Sequence, residues 1–88
     1  VIGHFDGGAP TTGAAAKPRV LLAPHTDTVD VEGMTVDPFG AEICDGRLYG
    51  RGACDTKGTM AAMLAALEEM GPGRLATLGH AVSFAGLA

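Results

Sequence analysis

Val20-Leu21-Leu22-Ala23-Pro24-His25-Thr26-Asp27 is the stretch whose reading decides the fold. Four apolar residues between Pro18-Arg19 and Pro24 suit a short strand buried on both faces, as in a parallel sheet. Pro24 ends the run, and His25 and Asp27 follow at once. In open α/β sheets ligands gather beyond the carboxyl ends of the strands, so this pair is expected in a site. Thirty residues on, Gly50-Arg51-Gly52-Ala53-Cys54-Asp55-Thr56-Lys57-Gly58 sets a second carboxylate, Asp55, in a glycine-flanked loop. Hydrolytic metal sites need such groups on different elements, aimed at one point.

Working outward from that stretch, Val1–Phe5 reads as the end of a strand, and Asp6–Lys17 as a Gly, Ala, Thr and Pro loop without periodicity. Val29–Gly40 is an irregular excursion with a turn at Asp37-Pro38. Ala41-Glu42-Ile43 and Arg47-Leu48-Tyr49 flank Asp45-Gly46, a dipeptide that favours the positive φ of a tight hairpin. From Thr56 the period changes. Met60, Met63, Leu64, Leu67 and Met70 line one helical face, and alanines fill much of the rest. Asp55 or Thr56 is expected to cap this helix, and Gly71-Pro72-Gly73 to stop it. His80–Ala85 is a last strand, with Val82 and Phe84 on one side. The order β, β, hairpin, helix, β implies an α/β fold: a mixed sheet with one main helix.

Eighty-eight residues allow one small domain, and a chain of this length buries only ~60–65% of its unfolded surface. Much of its 47% hydrophobic content is alanine, and the aromatics are only Phe5, Phe39, Tyr49 and Phe84. A sturdy core is therefore not expected. The chain opens on Val1 and stops on the apolar stretch Phe84–Ala88, so residues 1–88 read as a cut piece of a larger protein. The net charge is −4 and the six Lys and Arg are scattered, which argues against nucleic-acid binding. Cys44 and Cys54 make neither a disulfide framework nor a C-x-x-C pair, which points to reduced thiols and a cytoplasmic location. No apolar run approaches the ~20 residues of a membrane span.

His25 and Asp27 are two apart, so in extended chain they face the same way. The Asp27 carboxylate is then placed to accept the imidazole N–H and fix which nitrogen is free for a cation. The plain alternative is a loop histidine beside a turn aspartate. Asp55 at a helix start is favoured by the helix dipole, and its plain alternative is an ordinary N-cap. Both of its oxygens suit a carboxylate bridging two cations ~3.5–4 Å apart. Cys54 is expected to be a small buried thiol, Lys57 a solvated helix-start residue, and His4 and His80 loop and strand residues.

From Val20 to about Leu67 the chain resembles the dinuclear zinc family of acetylornithine deacetylase, succinyl-diaminopimelate desuccinylase and carboxypeptidase G. The residues that carry the likeness are Leu21 through Val29, Asp37-Pro38-Phe39, and Asp45 through Gly58. The resemblance implies that His25 is a terminal ligand to one metal and that Asp55 bridges two. Asp27 is the implied catalytic-site residue that orients His25. It also implies hydrolysis of amide bonds in N-acyl amino acids or small peptides by a metal-activated water. The implied metals are zinc, with cobalt or manganese as substitutes, and the implied parent is a homodimer.

One departure matters most. The family's strand after the helix ends in two glutamates, a base and a ligand. Here that strand is followed by Gly86-Leu87-Ala88, so in residues 1–88, which the resemblance implies are a truncated piece of a metal-dependent hydrolase catalytic domain, the pair either lies beyond a truncated and altered end or has been lost. The chain alone is therefore expected to bind metal weakly and not to hydrolyse. A second reading follows from the same gap: an inactive remnant or interaction module of the family. A nucleotide site starting from Gly50-x-Gly52 fails, because Asp55 stands where the dinucleotide fingerprint needs glycine, and Lys57-Gly58-Thr59 is not a phosphate loop.

Overall fold

A computed structural model describes residues 1–8, 10 and 12–88. The loop expectation at Ala9 and Thr11 lies outside the described residues. Among the described residues five strands and one main helix appear in the order β1 (Ile2–Phe5), β2 (Arg19–Leu22), β3 (Glu42–Cys44), β4 (Arg47–Tyr49), α1 (Gly58–Thr77) and β5 (Ala81–Ala85). The α/β class and the mixed sheet expected from the sequence are both present.

The main sheet runs β1-β5-β2. The last strand is its centre, antiparallel to β1 (His4 opposite Ser83) and parallel to β2 (Leu21 opposite Ser83). This corrects the reading of Val20–Ala23 as a strand buried on both faces. β2 lies at an edge, with Val20 and Leu21 substantially exposed. Burial falls on β5 instead, where Ala81, Ser83, Phe84 and Ala85 are all buried. A strand hydrogen-bonded on both sides loses most of its exposure whatever its composition.

Helix α1 covers one face of this sheet. Leu67 and Leu75 pack on Phe84, with Phe5, Leu22, Met60, Met63, Met70, Leu78 and Val82 around them. The stripe expected from the periodicity is this face, although Leu64 stays partly exposed. Helical dihedrals break at Gly71 (φ 63°, ψ 171°) and resume at Pro72. Glycine reaches that conformation without penalty, and proline fits the first turn of a new helical segment. The stop expected at 71–73 is thus a kink, and a last short segment runs on to Thr77. Lys17 holds its end: Nζ donates to the carbonyls of Ala76 (2.7 Å) and Leu78 (2.6 Å).

On the other face Ser83 ties three strands together. Its Oγ lies 2.8 Å from His4 Nδ1 and accepts from Arg19 Nη1 at 2.7 Å. Arg19 Nη1 also donates to Asp6 Oδ1 at 2.7 Å.

β3 and β4 form a separate hairpin, turned at Asp45 (φ 50°) and Gly46 (φ 72°). Two consecutive positive φ values are the tight turn that Asp-Gly favours. The hairpin is exposed at Ile43 and Leu48 and leads directly into the Asp55 loop. The molecule is elongated, 54 × 25 × 14 Å. Its radius of gyration is 16.7 Å, against about 12 Å for a compact domain of this length. The core is correspondingly thin.

Candidate metal centre

His25 sits just past the carboxyl end of β2, in a loop zipped to the residues that follow β5. Thr26 N donates to Leu87 O at 2.6 Å, Thr26 Oγ1 donates to the same oxygen at 2.9 Å, and Leu87 N donates to Pro24 O at 3.0 Å. The backbone around His25 is therefore fixed by main-chain bonds rather than by packing. Leu87 pairs with His25 in an isolated parallel bridge.

Asp55 arrives from the hairpin side. Arg51 N donates to Pro38 O at 2.8 Å and Lys57 N to Gly52 O at 2.9 Å, closing a wide turn. Gly52 (φ 76°) is buried, and a Cβ there would lie 2.7 Å from both Lys57 Nζ and Thr28 Cγ2. At this positive φ a side chain is strained, and its Cβ would press on the tips of Lys57 and Thr28, so glycine suits the close approach of the Asp55 loop to the segment after His25. Thr28 is a contact that sequence reasoning missed, because nothing local marks a threonine as the buttress of a distant glycine.

Asp55 is not an N-cap. It has extended dihedrals (φ −117°, ψ 91°), and the regular helix begins only at Gly58, with no side-chain cap at Lys57. The peptide bond between Asp55 and Thr56 is cis. The plain reading of Asp55 as a helix cap is thereby excluded, and its carboxylate is free for another partner.

That partner is His25. Nε2 lies 3.0 Å from Asp55 Oδ1, and the opposite nitrogen, Nδ1, lies 2.9 Å from the main-chain oxygen of Asp27. The Asp27 carboxylate is further off, at 3.6 Å. The orientation of the ring is thus set by the Asp27 carbonyl, not by the carboxylate expected from the sequence. In extended chain the carbonyl is as near the ring as the side chain, and its position is fixed by the backbone. Because a carbonyl only accepts, Nδ1 carries a proton and Nε2 is the nitrogen left for a cation or a second proton. The imidazole pKa is raised above its ordinary 6.5, first by the Asp27 carbonyl and next by the hydrogen bond to Asp55.

These two groups fit one metal ion. Tetrahedral zinc with bonds of ~2.0–2.2 Å separates neighbouring ligand atoms by about 3.3–3.5 Å. The observed 3.0 Å needs only a small opening. Both tips are accessible, the His25 side chain at 44% exposure and Asp55 at 87%. They line a cavity of about 360 Å³ together with Asp27, Thr28, Val29 and the Gly50–Cys54 turn. Cys54 is exposed in this wall rather than buried, which corrects the sequence expectation. Among the described residues no third His, Cys, Asp or Glu joins the pair to make a group of three.

The α/β fold brings His25 and Asp55 together from two separate loops, and comparison with known proteins gives the family. Residues 21–85 match the model of Peptidase family M20/M25/M40, and the chain belongs to that family. It is 56% identical to a succinyl-diaminopimelate desuccinylase of Rhodospirillum centenum, over 62% of this chain and 16% of that protein. A succinyl-diaminopimelate desuccinylase of Stenotrophomonas maltophilia is 44% identical, over 88% of this chain and 23% of its own length. The crystal structure of human carnosine dipeptidase 1 superposes with a TM-score of 0.61 at 26% identity, covering 96% of this chain and 21% of that one. The chain thus spans about a sixth to a quarter of these relatives.

Proposed function

We propose that this chain supplies one wall of the metal centre of an amide hydrolase, with His25 and Asp55 as metal ligands. The observation that carries this reading is the 3.0 Å approach of Nε2 and Oδ1 from loops thirty residues apart in sequence. Asp55 keeps a second oxygen for a neighbouring ion, so it is the candidate bridge in a two-zinc site. When bound, the zinc ions would supply a Lewis acid for the amide carbonyl and lower the pKa of the attacking water.

The residues of this chain would do three things. The Asp27 carbonyl holds the proton at Nδ1 and keeps Nε2 aimed at the metal position. Asp55 adds the negative charge that offsets a divalent cation. Gly52 and Thr28 hold the two loops in register.

A longer protein built on this piece would hydrolyse amide bonds of N-acyl amino acids. Succinylated amino acids come first, because similar proteins are named succinyl-diaminopimelate desuccinylase. Acetylated amino acids such as acetylornithine and small peptides come next. Cobalt and manganese are the substitute metals, a homodimer the assembly of that longer protein, and the cytoplasm its location. Free Cys44 and Cys54 support that location. No helix among the described residues is long and apolar enough to cross a membrane.

The second reading is an inactive remnant or interaction module of the family, since among the described residues no third His, Cys, Asp or Glu stands beside His25 and Asp55. Two measurements separate the readings. Zinc retained after dialysis is expected to be weak in the wild type and absent in His25→Ala and Asp55→Asn. Equal zinc in all three would remove both residues from the site. The longer protein is expected to cleave N-succinyl amino acids and to lose that activity with chelator. Failure to cleave any acylated amino acid or dipeptide would leave the inactive reading standing.

A further inference from the structure

We infer that Thr28 is a positioning residue of the metal centre, its γ-methyl setting how closely the Asp55 loop approaches His25. The inference rests on the reading of His25 and Asp55 as metal ligands. Each loop is fixed to its own neighbours. Thr26 and Leu87 tie the His25 segment to the end of β5, and Pro38, Gly50 and Gly52 close the turn that carries Asp55. Those bonds hold each loop without setting the gap between them.

The contact between Thr28 and Gly52 sets it. A Cβ on Gly52 would lie 2.7 Å from Thr28 Cγ2, so the methyl already rests within van der Waals reach of the bare Cα. The atoms facing this position are Thr28 Cγ2, Lys57 Nζ at 2.7 Å and the main-chain oxygen of Asp55 at 3.6 Å. The threonine hydroxyl is not one of them. The same residue bears on the ring, because the oxygen 2.9 Å from Nδ1 belongs to the peptide joining Asp27 to Thr28. A planar peptide moves that oxygen and the Thr28 Cα together. Thr28 thus aims Nε2 through its peptide and spaces Oδ1 through its methyl. A β-branched side chain has few χ1 choices and makes a stiff spacer. Lys57, on a flexible four-carbon stem, yields where Thr28 does not.

The test is the zinc affinity of the 88-residue chain and three Thr28 variants, read by competition with a chromophoric chelator beside a thermal melt of each. A Cys44→Ser/Cys54→Ser background removes thiol ligation. Thr28→Val keeps the methyl and should bind as the wild type does. Thr28→Ser keeps the hydroxyl and drops the methyl. It and Thr28→Ala should bind zinc about tenfold more weakly, the low end for a residue that orients a ligand without touching the metal, with unchanged melts. A direct contact also requires coupling. Gly52→Ala sets a methyl against Cγ2, so in that background Thr28→Ser should cost little or nothing. The full tenfold loss there would overturn the contact. Weak binding in Thr28→Val with Thr28→Ser intact would give the role to the hydroxyl and overturn the inference. So would wild-type affinity in all three variants, or a loss that follows a lowered melt. In each of these cases the ligand assignment stands as long as His25→Ala loses zinc. Zinc held no tighter by the wild type than by His25→Ala would overturn both.

Discussion

The two ends of β2 and β5 live by different rules. Along the strands, β5 is buried on both faces, and its side chains are fixed by Leu67, Leu75 and the His4–Arg19 clamp. Just past the strands, His25 and Asp55 are open to water, and main-chain hydrogen bonds and one buried glycine fix their positions. The body resists change through packing, and the site through backbone geometry. Stability and metal affinity should therefore respond to different substitutions. The largest effect belongs to the body. Phe84→Ala removes the ring on which Leu67 and Leu75 pack, at a cost of about 3–5 kcal/mol. That is as much as so small a core supplies. The variant should be largely unfolded by circular dichroism at room temperature, and a cooperative melt near the wild-type midpoint would show that the core lies elsewhere.

A smaller loss is expected on the opposite face. Ser83→Ala deletes the oxygen shared by His4 and Arg19, but both partners reach solvent and can rehydrate, so the cost is about 1 kcal/mol. Denaturant melts should show a shifted midpoint at unchanged slope. A loss as large as that of Phe84→Ala would mean that the three-strand clamp, not the helix face, holds the sheet.

At the site the expected changes are in binding rather than in folding. Asp27→Ala keeps the main-chain carbonyl that holds Nδ1, so zinc affinity should fall by no more than about tenfold, the low end for an orienting partner. A hundredfold fall, measured by competition with a chromophoric chelator, would restore the carboxylate to the role given it from sequence.

The smallest effect is a titration. The His25 imidazole should titrate above 6.5 in the metal-free chain, and Asp55→Asn should bring it back toward that value. Because the folded-state value is the raised one, the linked stability is fully present below about pH 6.5. It is lost as pH rises through the folded value. With His25 this exposed, the linkage should register as an NMR shift and hardly at all in the melt. A midpoint at or below 6.5 would break the hydrogen-bond geometry drawn for the ring.

What could be read from the residues was local. Asp45-Gly46 specified its turn, because few dipeptides accept two positive φ values in succession. The Met60–Met70 stripe specified a helix and its buried face, because periodicity is a property of neighbours. Val20–Ala23 misled, because apolar composition marks a strand without saying how many strands flank it. Asp55 was legible as a candidate but not as a group freed from the helix, since that depends on dihedrals set by a turn closed through Pro38 and Gly52.

The sequence by itself determined the α/β class, the hairpin, the helix and which side chains were worth watching, all through preferences that act over a few residues. Tertiary structure decided that β5 and not β2 is central, that a carbonyl and not a carboxylate aims the ring, and that Nε2 and Oδ1 stand 3.0 Å apart. Those outcomes depend on strand pairing and loop closure between residues tens of positions apart. The deciding hydrogen bonds are main-chain bonds, which every residue type except proline can donate, so the side-chain code does not announce them.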